Sequence, residues 1–267
     1  MTSNELQKPT NQKQWPPAGV KWYFYDDSVA IANADCREIL PHLGKVDLVL
    51  TDPPYGIGYK PQKHNSKTSW GDRNFCATDM LYGDTGNLDI DVSDIYQKFK
   101  DINQIWWGAN NYADSLPRSR GWLVWFKARG MEGTDFSHAE LAWTSRDMPI
   151  RLIDYLWQGS MKDGERERAV HPTQKPVAIM SWCISFFPDS QLILDPFMGS
   201  GTTLRAAKNL GRKAIGVEIE ERYCEIAAKR MQQSVMNLSI ESSQKEEGSA
   251  EKPFPLLDDI SHKGQRG

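Results

Sequence analysis

Four residues that could do chemistry, Asp52, Pro53, Pro54 and Tyr55, follow directly after the apolar run Val46–Thr51. In an open α/β sheet, the carboxyl end of such a strand faces the ligand crevice. Two prolines stiffen the loop and remove N–H donors, which leaves a carbonyl free to accept hydrogen bonds. Asp52 and the Pro53 carbonyl could accept both protons of an amino group on a planar ring, while Tyr55 stacks on that ring. Taken alone, the loop could also be a proline turn with a capping aspartate.

A second segment with chemical potential runs from Asp195 to Glu218. Asp195 ends an apolar run, Gly199 and Gly201 form a turn, and Thr202 begins a helical pattern, so backbone N–H groups can approach an anionic ligand. Glu218 ends the next apolar run, where nucleotide-binding folds place an acidic side chain on ribose hydroxyls. The nicotinamide fingerprint GxGxxG is absent, and no lysine follows Gly201 as in a Walker loop. We therefore predict a ligand that carries adenosine.

These two segments need a sheet to position them, and apolar runs alternate with helical patterns along the chain. The predicted strands are Val46–Thr51, Gln104–Gly108, Trp122–Phe126, Gln191–Asp195 and Ala214–Glu218. The predicted helices are Pro176–Phe187, Thr202–Leu210 and Glu221–Gln233. Runs that are apolar on both faces indicate strands covered on both sides. The sequence predicts an α/β fold with a doubly wound, mixed, mostly parallel sheet.

Composition excludes several classes of protein. The chain has 267 residues, 39% of them hydrophobic, and an isoelectric point near 6.0 with a formal net charge of -3. Its mean hydropathy is -0.59, and no apolar run reaches the roughly 18 residues of a membrane span. Four widely spaced cysteines and the absence of ligand spacing predict no metal site. Without an apolar leader, we expect a cytoplasmic protein. The charge argues against a nucleic-acid coat protein but permits a local basic groove.

The chain divides into three parts by composition. Residues 1–20 are polar and are predicted to be a flexible arm, while residues 236–267 form a polar tail that we expect to be disordered. Residues 21–235 are predicted to be a single domain. Within it, residues 59–100 and 146–170 are candidates for a lid and for target recognition.

The motifs together resemble those of the amino-methylating DNA methyltransferases. They are DPPY at 52–55, HPTQKP at 171–176 and DPFMGSGTT at 195–203. Further similar stretches between Asn33 and Arg230 are Ala34-Asp35-Cys36, Trp107–Tyr112, Gly121–Lys127 and Ala139–Ser145. The order of the motifs, catalytic loop first and cofactor loop last, resembles the circularly permuted beta class of phage and prophage type. The resemblance implies a Rossmann-like methyltransferase fold.

The resemblance also implies a cofactor, S-adenosylmethionine, and a role for each matching residue. The methionine and adenosine path would be lined by Asp195, Phe197, Gly199, Ser200 and Gly201. Glu218 would bind the ribose hydroxyls, and Asp35 would lie near the adenine amino group. Thr173 and Lys175 would lie nearest the methionine carboxylate, where a helix start and a lysine neutralise charge. The residues that would handle the methyl acceptor are Asp52, Pro53, Pro54 and Tyr55.

The implied reaction is site-specific methylation of an exocyclic amino nitrogen in duplex DNA. Such a nitrogen cannot be reached inside the duplex, so the base must be flipped into the site. Because the catalytic motif begins with Asp rather than Ser, the resemblance favours adenine N6, with cytosine N4 as the alternative. An RNA or protein amino-group methyltransferase and a non-catalytic DNA-binding relic are two further classes.

Seven basic residues are candidates for phosphate contacts. They are Lys60, Lys63, Lys67, Arg118, Arg120, Lys127 and Arg129. Ordinary solvated surface is the alternative for each of them. The tryptophans lie in strand-like runs, which favours core packing over base stacking. Because the 146–170 segment is short, target recognition could be shared with residues 59–100 or with a second subunit in a homodimer. The expected partner is double-stranded DNA, with no membrane and no metal.

Overall fold

The computed structural model describes residues 15–55, 92–129, 137–158, 161–163 and 174–233. The chain separates into two compact units, Met1–Ser234 and Val235–Gly267, and all described residues belong to the first. The predicted tail at 236–267 and the first part of the predicted arm therefore lie outside the described residues. The two candidate recognition segments are described only in part, at residues 92–100 and at residues 146–158 and 161–163.

The described strands, in chain order, are β1 (Phe24–Tyr25), β2 (Val29–Asn33), β3 (Leu48–Thr51), β4 (Asn103–Trp107), β5 (Trp122–Phe126), β6 (Ala139–Thr144), β7 (Arg151–Asp154), β8 (Trp157–Gln158), β9 (Met161–Lys162), β10 (Leu192–Asp195) and β11 (Lys213–Glu218). Within the described residues, nine of them form one sheet in the order β1-β2-β11-β10-β3-β4-β6-β5-β7. Its strands run in one direction except β1 and β6, which are antiparallel to their neighbours. The predicted mixed, mostly parallel sheet is confirmed. β8 and β9 pair as a separate antiparallel hairpin.

The described α-helices are α1 (Cys36–Ile39), α2 (Val92–Lys98), α3 (Val177–Ser185), α4 (Thr202–Asn209) and α5 (Glu221–Gln232). Three 3-10 turns accompany them at Leu40–His42, Ala109–Asn111 and Ala113–Ser115. The predicted elements agree with the observed ones to within two residues at each end. Pro176 is the N-cap of α3 rather than its first residue. β4 ends one residue early, because Gly108 has a φ of 70° that turns the chain out of the strand.

The core has two layers, one on each face of the sheet, because successive strand residues point to opposite faces. One layer packs strand residues such as Leu48 and Trp107 against helices α3, α4 and α5, and the other packs Trp106 against α1 and α2. Trp106 and Trp107 are fully buried, and Trp125 meets Trp107 edge to face at 6.3 Å between centroids. The prediction that these tryptophans are core residues is confirmed.

The last residues of the predicted arm, 15–20, contact the rest of the domain. The Trp15 indole N–H donates to the Asp26 carbonyl at 2.7 Å, and the Lys213 ammonium lies 4.5 Å from the centre of its ring. Trp15 and Val20 also contact the core layer that contains α1. A single large aromatic side chain can anchor a segment of otherwise polar composition, because its ring supplies a large apolar contact area.

Two properties of the described ranges are relevant to function. In that part of the chain, no helix combines the length and the apolar character needed to cross a membrane. The same residues contain no group of three His, Cys, Asp or Glu side chains that could hold a metal ion.

Candidate active site

The sequence-predicted site residues meet at the carboxyl edge of the parallel strands. β3 lies next to β10, β10 next to β11, and β11 next to β2. Their ends therefore bring Asp52, Asp195, Glu218 and Asp35 to one edge of the sheet, although they are far apart in sequence. This is the edge at which open α/β sheets bind ligands.

On the β3 side of this edge, the DPPY loop is held by its own tyrosine and by Gly108. The Tyr55 hydroxyl donates to Asp52 Oδ1 at 2.5 Å. The Tyr55 ring lies so close to Gly108 that a Cβ atom on that glycine would overlap it. Gly108 also requires its left-handed φ, so two independent constraints demand glycine there. Gly108, at the end of β4, thus determines the position of the Tyr55 ring.

A buried lysine completes the surroundings of Asp52. Lys175 is 4% exposed, and its Nζ lies 2.5 Å from Asp52 Oδ2 and 3.1 Å from the Tyr55 hydroxyl. The same ammonium is 3.1 Å from Glu140 Oε2, and Glu140 Oε1 is 2.5 Å from Lys127 Nζ. Positive and negative charges therefore alternate through Lys127, Glu140, Lys175 and Asp52. We call these four residues the charge chain.

The charges in this chain shift one another's pKa. Burial raises the pKa of Asp52 above its ordinary value, although Lys175 counteracts this. Burial also acts to raise the pKa of Glu140, but the two neighbouring ammonium groups outweigh it and lower the value to about 2. Burial alone would lower the pKa of Lys175, yet Asp52 and Glu140 raise it above its ordinary value. Glu140 and Lys175 are therefore both charged at neutral pH.

The predicted place of Lys175 beside the methionine carboxylate stays a prediction. Its ammonium is paired with Asp52 and Glu140, on the side of the DPPY loop. Thr173, the other residue predicted for that carboxylate, lies outside the described residues. The neighbouring Gln174 does reach the glycine turn, since its Oε1 accepts from the Ser200 hydroxyl at 3.4 Å. The HPTQKP segment thus joins the two loops of the site.

On the β10 side, the glycine turn has the shape that its residues predict. Gly199 and Gly201 have φ values of 50° and 79°. A Cβ on Gly201 would lie 2.8 Å from the Ala227 side chain, so this glycine also permits close packing of α5. The Arg230 guanidinium of α5 donates to the Ser200 carbonyl at 2.8 Å and thereby links the turn to α5.

Two carboxylates border this turn. Glu218 accepts from the backbone N–H of Gly199 at 3.1 Å and of Glu220 at 2.8 Å. Asp195 Oδ1 accepts from the Thr51 hydroxyl at 2.8 Å and from the Phe197 N–H at 3.1 Å. Burial raises the pKa of Asp195 to about 6 and that of Glu218 to about 7. The hydrogen bonds from these neutral donors lower the pKa of each carboxyl group by less than burial raises it.

Asp35 lies two residues beyond β2, which pairs with β11 at Asn33 and Glu218. Its carboxylate caps α1 by accepting from the Arg37 N–H at 2.9 Å and also pairs with the Arg37 guanidinium. Hydrogen bonds from Arg37 lower its pKa. Its proximity to an adenine ring stays a prediction.

Three of the four described candidates for DNA contact are paired with acids that the local sequence does not reveal. Arg120 lies 3.2 Å from Asp147, and Arg129 lies 2.8 Å from Asp154. Lys127 belongs to the charge chain, whereas Arg118 is exposed. The remaining candidates, Lys60, Lys63 and Lys67, lie outside the described residues. The acids that pair with these three cations lie on β6 (Glu140), in the segment between β6 and β7 (Asp147) and on β7 (Asp154).

Glu140 is the main residue that sequence reasoning missed. It lies within β6, opposite Trp125 of β5, in the otherwise largely apolar run AELAWT. A charge inside a half-buried strand is a recognisable signal, because burying a carboxylate is costly unless it is paired. Its partner Lys175 is 35 positions away in the printed sequence, which local patterns cannot connect.

A sheet of this topology, with a glycine turn, an acidic strand end and an amino-acceptor loop at one edge, belongs to the α/β enzymes that bind nucleotide-like ligands. Comparison with known proteins defines the family. A family model described as DNA methylase, N6_N4_Mtase, matches residues 87–229. The type II methyltransferase M2.LlaDCHI of Lactococcus lactis subsp. cremoris is 27% identical over 249 residues, covering 79% of this chain and 92% of that protein.

Two further matches extend the comparison. The type II methyltransferase M2.DpnII of Streptococcus pneumoniae is 33% identical over 141 residues, which are 50% of this chain and 52% of that protein. Among solved structures, the cytosine-N4-specific PvuII DNA methyltransferase matches with a TM-score of 0.53 and 16% identity. That match covers 82% of this chain and 91% of the other and shows a shared fold.

The chain belongs to the DNA methylase family of N6 and N4 amino-methylating enzymes. It is a DNA methyltransferase that depends on S-adenosylmethionine. The residues at the strand ends suit this cofactor: Glu218 keeps lone pairs for hydroxyl groups, and Asp195 is a buried carboxylate that could face a cationic ligand.

Proposed function

We propose that this enzyme methylates the N6 nitrogen of an adenine flipped out of duplex DNA. The observation that carries the proposal is the acceptor loop, in which Asp52 and Tyr55 lie together beside the glycine turn at one sheet edge. Adenine is favoured over cytosine because the motif begins with Asp52 rather than Ser. Cytosine N4 is the second candidate, since the same loop can hold either amino group.

The acceptor loop can hold an amino group without losing its present partners. A carboxylate offers about four lone-pair sites, of which Tyr55 and Lys175 occupy one on each oxygen of Asp52. A remaining site on Asp52 and the Pro53 carbonyl would accept the two amino protons. This would turn the nitrogen lone pair out of conjugation with the ring, so that the nitrogen becomes a better nucleophile. Pro54 keeps the loop rigid.

The cofactor would be held by the other strand ends. When bound, S-adenosylmethionine supplies a methyl group whose bond to sulfur breaks as the new N–C bond forms and the nitrogen releases a proton. We propose that Glu218 accepts hydrogen bonds from the ribose hydroxyls. The residues proposed to line the rest of the path are Asp35, Thr173, Asp195, Phe197, Gly199, Ser200 and Gly201. We assign Lys175 to the acceptor loop because its ammonium contacts Asp52.

Tyr55 is proposed to stack on the flipped base. Its ring is fixed by contact with Gly108, so little conformational entropy would be lost when a base stacks on it. The hydroxyl group holds Asp52 at the same time. One side chain would thus position the ring of the base and orient the carboxylate that accepts its amino group.

The relatives suggest a biological setting for this reaction. Two of them are type II methyltransferases, and we propose that this chain likewise protects sites in a restriction–modification system in the cytoplasm. Because the 146–170 segment is short, we propose that a second subunit of a homodimer contributes to recognition of the target sequence. The permuted beta-class order and the phage type stay predictions from the motifs.

One assay tests the proposed reaction. The protein is incubated with methyl-labelled cofactor and, separately, duplex DNA, RNA and a protein mixture, and the DNA is then digested to nucleosides for mass spectrometry. We expect the label in duplex DNA, as N6-methyl-2′-deoxyadenosine. Label found as N4-methylcytosine would support the second candidate, and label confined to RNA or protein would contradict both.

A further inference from the structure

Glu140 is not among the residues proposed to hold the base or the cofactor, yet a single side chain, that of Lys175, links it to Asp52. Its Oε2 lies 3.1 Å from Lys175 Nζ, which lies 2.5 Å from Asp52 Oδ2. Its Oε1 lies 2.5 Å from Lys127 Nζ. Two ammonium groups and two carboxylates therefore balance within the charge chain.

The lysine at the centre of this chain depends on both carboxylates. Lys175 is 4% exposed and lies over the rings of Trp107 and Tyr55, at 5.4 and 5.8 Å from their centroids. A buried ammonium is costly unless charges and hydrogen bonds compensate it. With Asp52 as its sole carboxylate partner, the ammonium would be drawn fully onto the group that must accept the amino protons. Glu140 divides this attraction and holds the ammonium from the opposite side.

We propose that Glu140 is a positioning residue for methyl transfer, which acts through Lys175 to set the orientation and the basicity of Asp52. This inference rests on the proposed role of Asp52 as an acceptor of amino protons. Glu140 is fixed in β6 by pairing with β5, so it provides a rigid anchor. Lys175 lies in an irregular segment before α3 and lacks such an anchor of its own.

Several charged or titratable groups in the described ranges face Asp52. They are Lys175, Glu140, Tyr55, Asp195 and Tyr112. Of these, Glu140 raises the pKa of Asp52 by repulsion, and Lys175 lowers it by attraction. If Glu140 loses its charge, the repulsion disappears and Lys175 pairs with Asp52 alone. Both changes lower the pKa of Asp52 and weaken it as an acceptor.

This gives a signature that a merely structural residue would not produce. Methyl transfer requires ionised Asp52, so the rate is lost as the pH falls through the pKa of that carboxyl group. In Glu140→Gln, we expect the acid limb of the rate profile to move to lower pH, while the plateau rate falls by roughly 10- to 100-fold. Cofactor affinity should change by less than about 3-fold, because none of the residues proposed to line the cofactor path belongs to the charge chain.

The experiment compares the full chain with Glu140→Gln, Glu140→Asp and the control Glu225→Gln, which removes one carboxylate from the exposed pair with Lys229. Single-turnover rates on duplex DNA are measured from pH 5 to 9 at saturating S-adenosylmethionine, with calorimetric affinity for the cofactor and thermal unfolding in parallel. Glu140→Asp keeps the charge, so it should restore the acid limb and give a rate between the two extremes. Glu225→Gln should match the wild type.

The outcomes separate this inference from the proposed function. If the wild type methylates DNA but Glu140→Gln keeps the wild-type plateau, or loses rate with an unmoved acid limb, the inference is wrong. If Glu140→Gln does not fold, an unchanged rate in Glu140→Asp would overturn it, because the shorter side chain cannot keep both lysine contacts. If the wild type methylates no duplex DNA, the proposed function itself is wrong.

Discussion

The carboxylates on the two sides of the site have opposite electrostatic surroundings. On the acceptor side, Asp52 and Glu140 share the ammonium of Lys175, and the pKa of Glu140 falls to about 2. On the cofactor side, Asp195 and Glu218 accept hydrogen bonds from neutral donors, and burial raises their pKa to about 6 and about 7. The carboxylates on the acceptor side are paired with ammonium groups, whereas no cation within the described residues pairs with Asp195 or Glu218.

This difference matches what each side is proposed to bind. A nucleobase is neutral, so a site that receives it gains from having its charges balanced beforehand, because no net charge is left unpaired around the base. A cofactor that carries positive charge and hydroxyl groups can instead supply the partners that Asp195 and Glu218 lack. The two halves therefore predict different consequences for the loss of one carboxylate.

The largest effect is expected for Asp52→Ala. Removing an acceptor from the amino group should lower the rate of methyl transfer by at least about 100-fold, comparable to the loss of one preorganised hydrogen bond in other active sites. The fold should persist, because Lys175 keeps Glu140 as a carboxylate partner. Single-turnover kinetics and circular dichroism measure both. A folded variant with near-normal turnover would show that DPPY is not the acceptor loop.

A smaller effect is expected at the contact between Gly108 and Tyr55. In Gly108→Ala, the added methyl group meets the Tyr55 ring, and the left-handed φ is strained. The displaced ring should weaken binding of flipped-base DNA by about 1–3 kcal/mol, as loss of base–aromatic stacking does elsewhere. Tyr55→Ala should lose a similar amount, and Tyr55→Phe much less, because the ring face does the stacking.

A titration of duplex DNA carrying 2-aminopurine at the target position, opposite a mismatch, measures this binding. The control is Gly44→Ala, since a Cβ there meets nothing within 4 Å. Equal affinities for the wild type, Gly108→Ala and Tyr55→Ala would refute stacking by Tyr55.

The smallest effect concerns the stability of the cofactor side. The pKa of Glu218 is about 7 in the folded chain against 4.5 as its ordinary value. Between these values the folded state binds more protons than the unfolded state, so this group reduces stability as the pH rises from 4.5 to 7. Glu218→Gln has no carboxyl group at this position, so it should not show this loss of stability.

Without cofactor, the melting temperature of Glu218→Gln minus that of the wild type should therefore increase from pH 5 to pH 8. We expect a change of roughly 2–4 °C for each kcal/mol involved. Glu225→Gln is the control and should show no such trend. A difference between Glu218→Gln and the wild type that is constant across this range would contradict the raised pKa.

The motifs made the backbone of the site predictable, because a strand followed by a loop is a local pattern. β3, β10 and β11 are apolar runs, and the residues just after them, such as Asp52, lie at the strand ends as expected. Of the sheet strands that were not predicted, β2 and β6 lie inside the sheet, whereas the short strands β1 and β7 lie at its edges and carry exposed side chains such as Tyr25 and Leu152. Local hydrophobic periodicity is weak in such strands.

Long-range charge pairing was not predictable from the sequence. Lys175 belongs to the HPTQKP motif, but its contacts with Asp52 and Glu140 come from two other parts of the chain. The basic run at 118–129 contains no acid, yet Asp147 and Asp154 form ion pairs with two of its arginines in the folded chain. Charge partners of this kind depend on strand order, which the sequence leaves open.

The most direct test of the contrast between the two sides is a crossed comparison of Asp52→Ala and Glu218→Ala. Calorimetry gives the S-adenosylmethionine affinity of each variant, and single-turnover kinetics at saturating cofactor give the rate of methyl transfer to duplex DNA. We predict that Asp52→Ala binds the cofactor like the wild type and transfers at least about 100-fold more slowly. Glu218→Ala should lose about 1–3 kcal/mol of cofactor affinity and recover most of its rate at saturation. Cofactor binding that is lost in Asp52→Ala, or wild-type cofactor affinity in Glu218→Ala, would contradict this account.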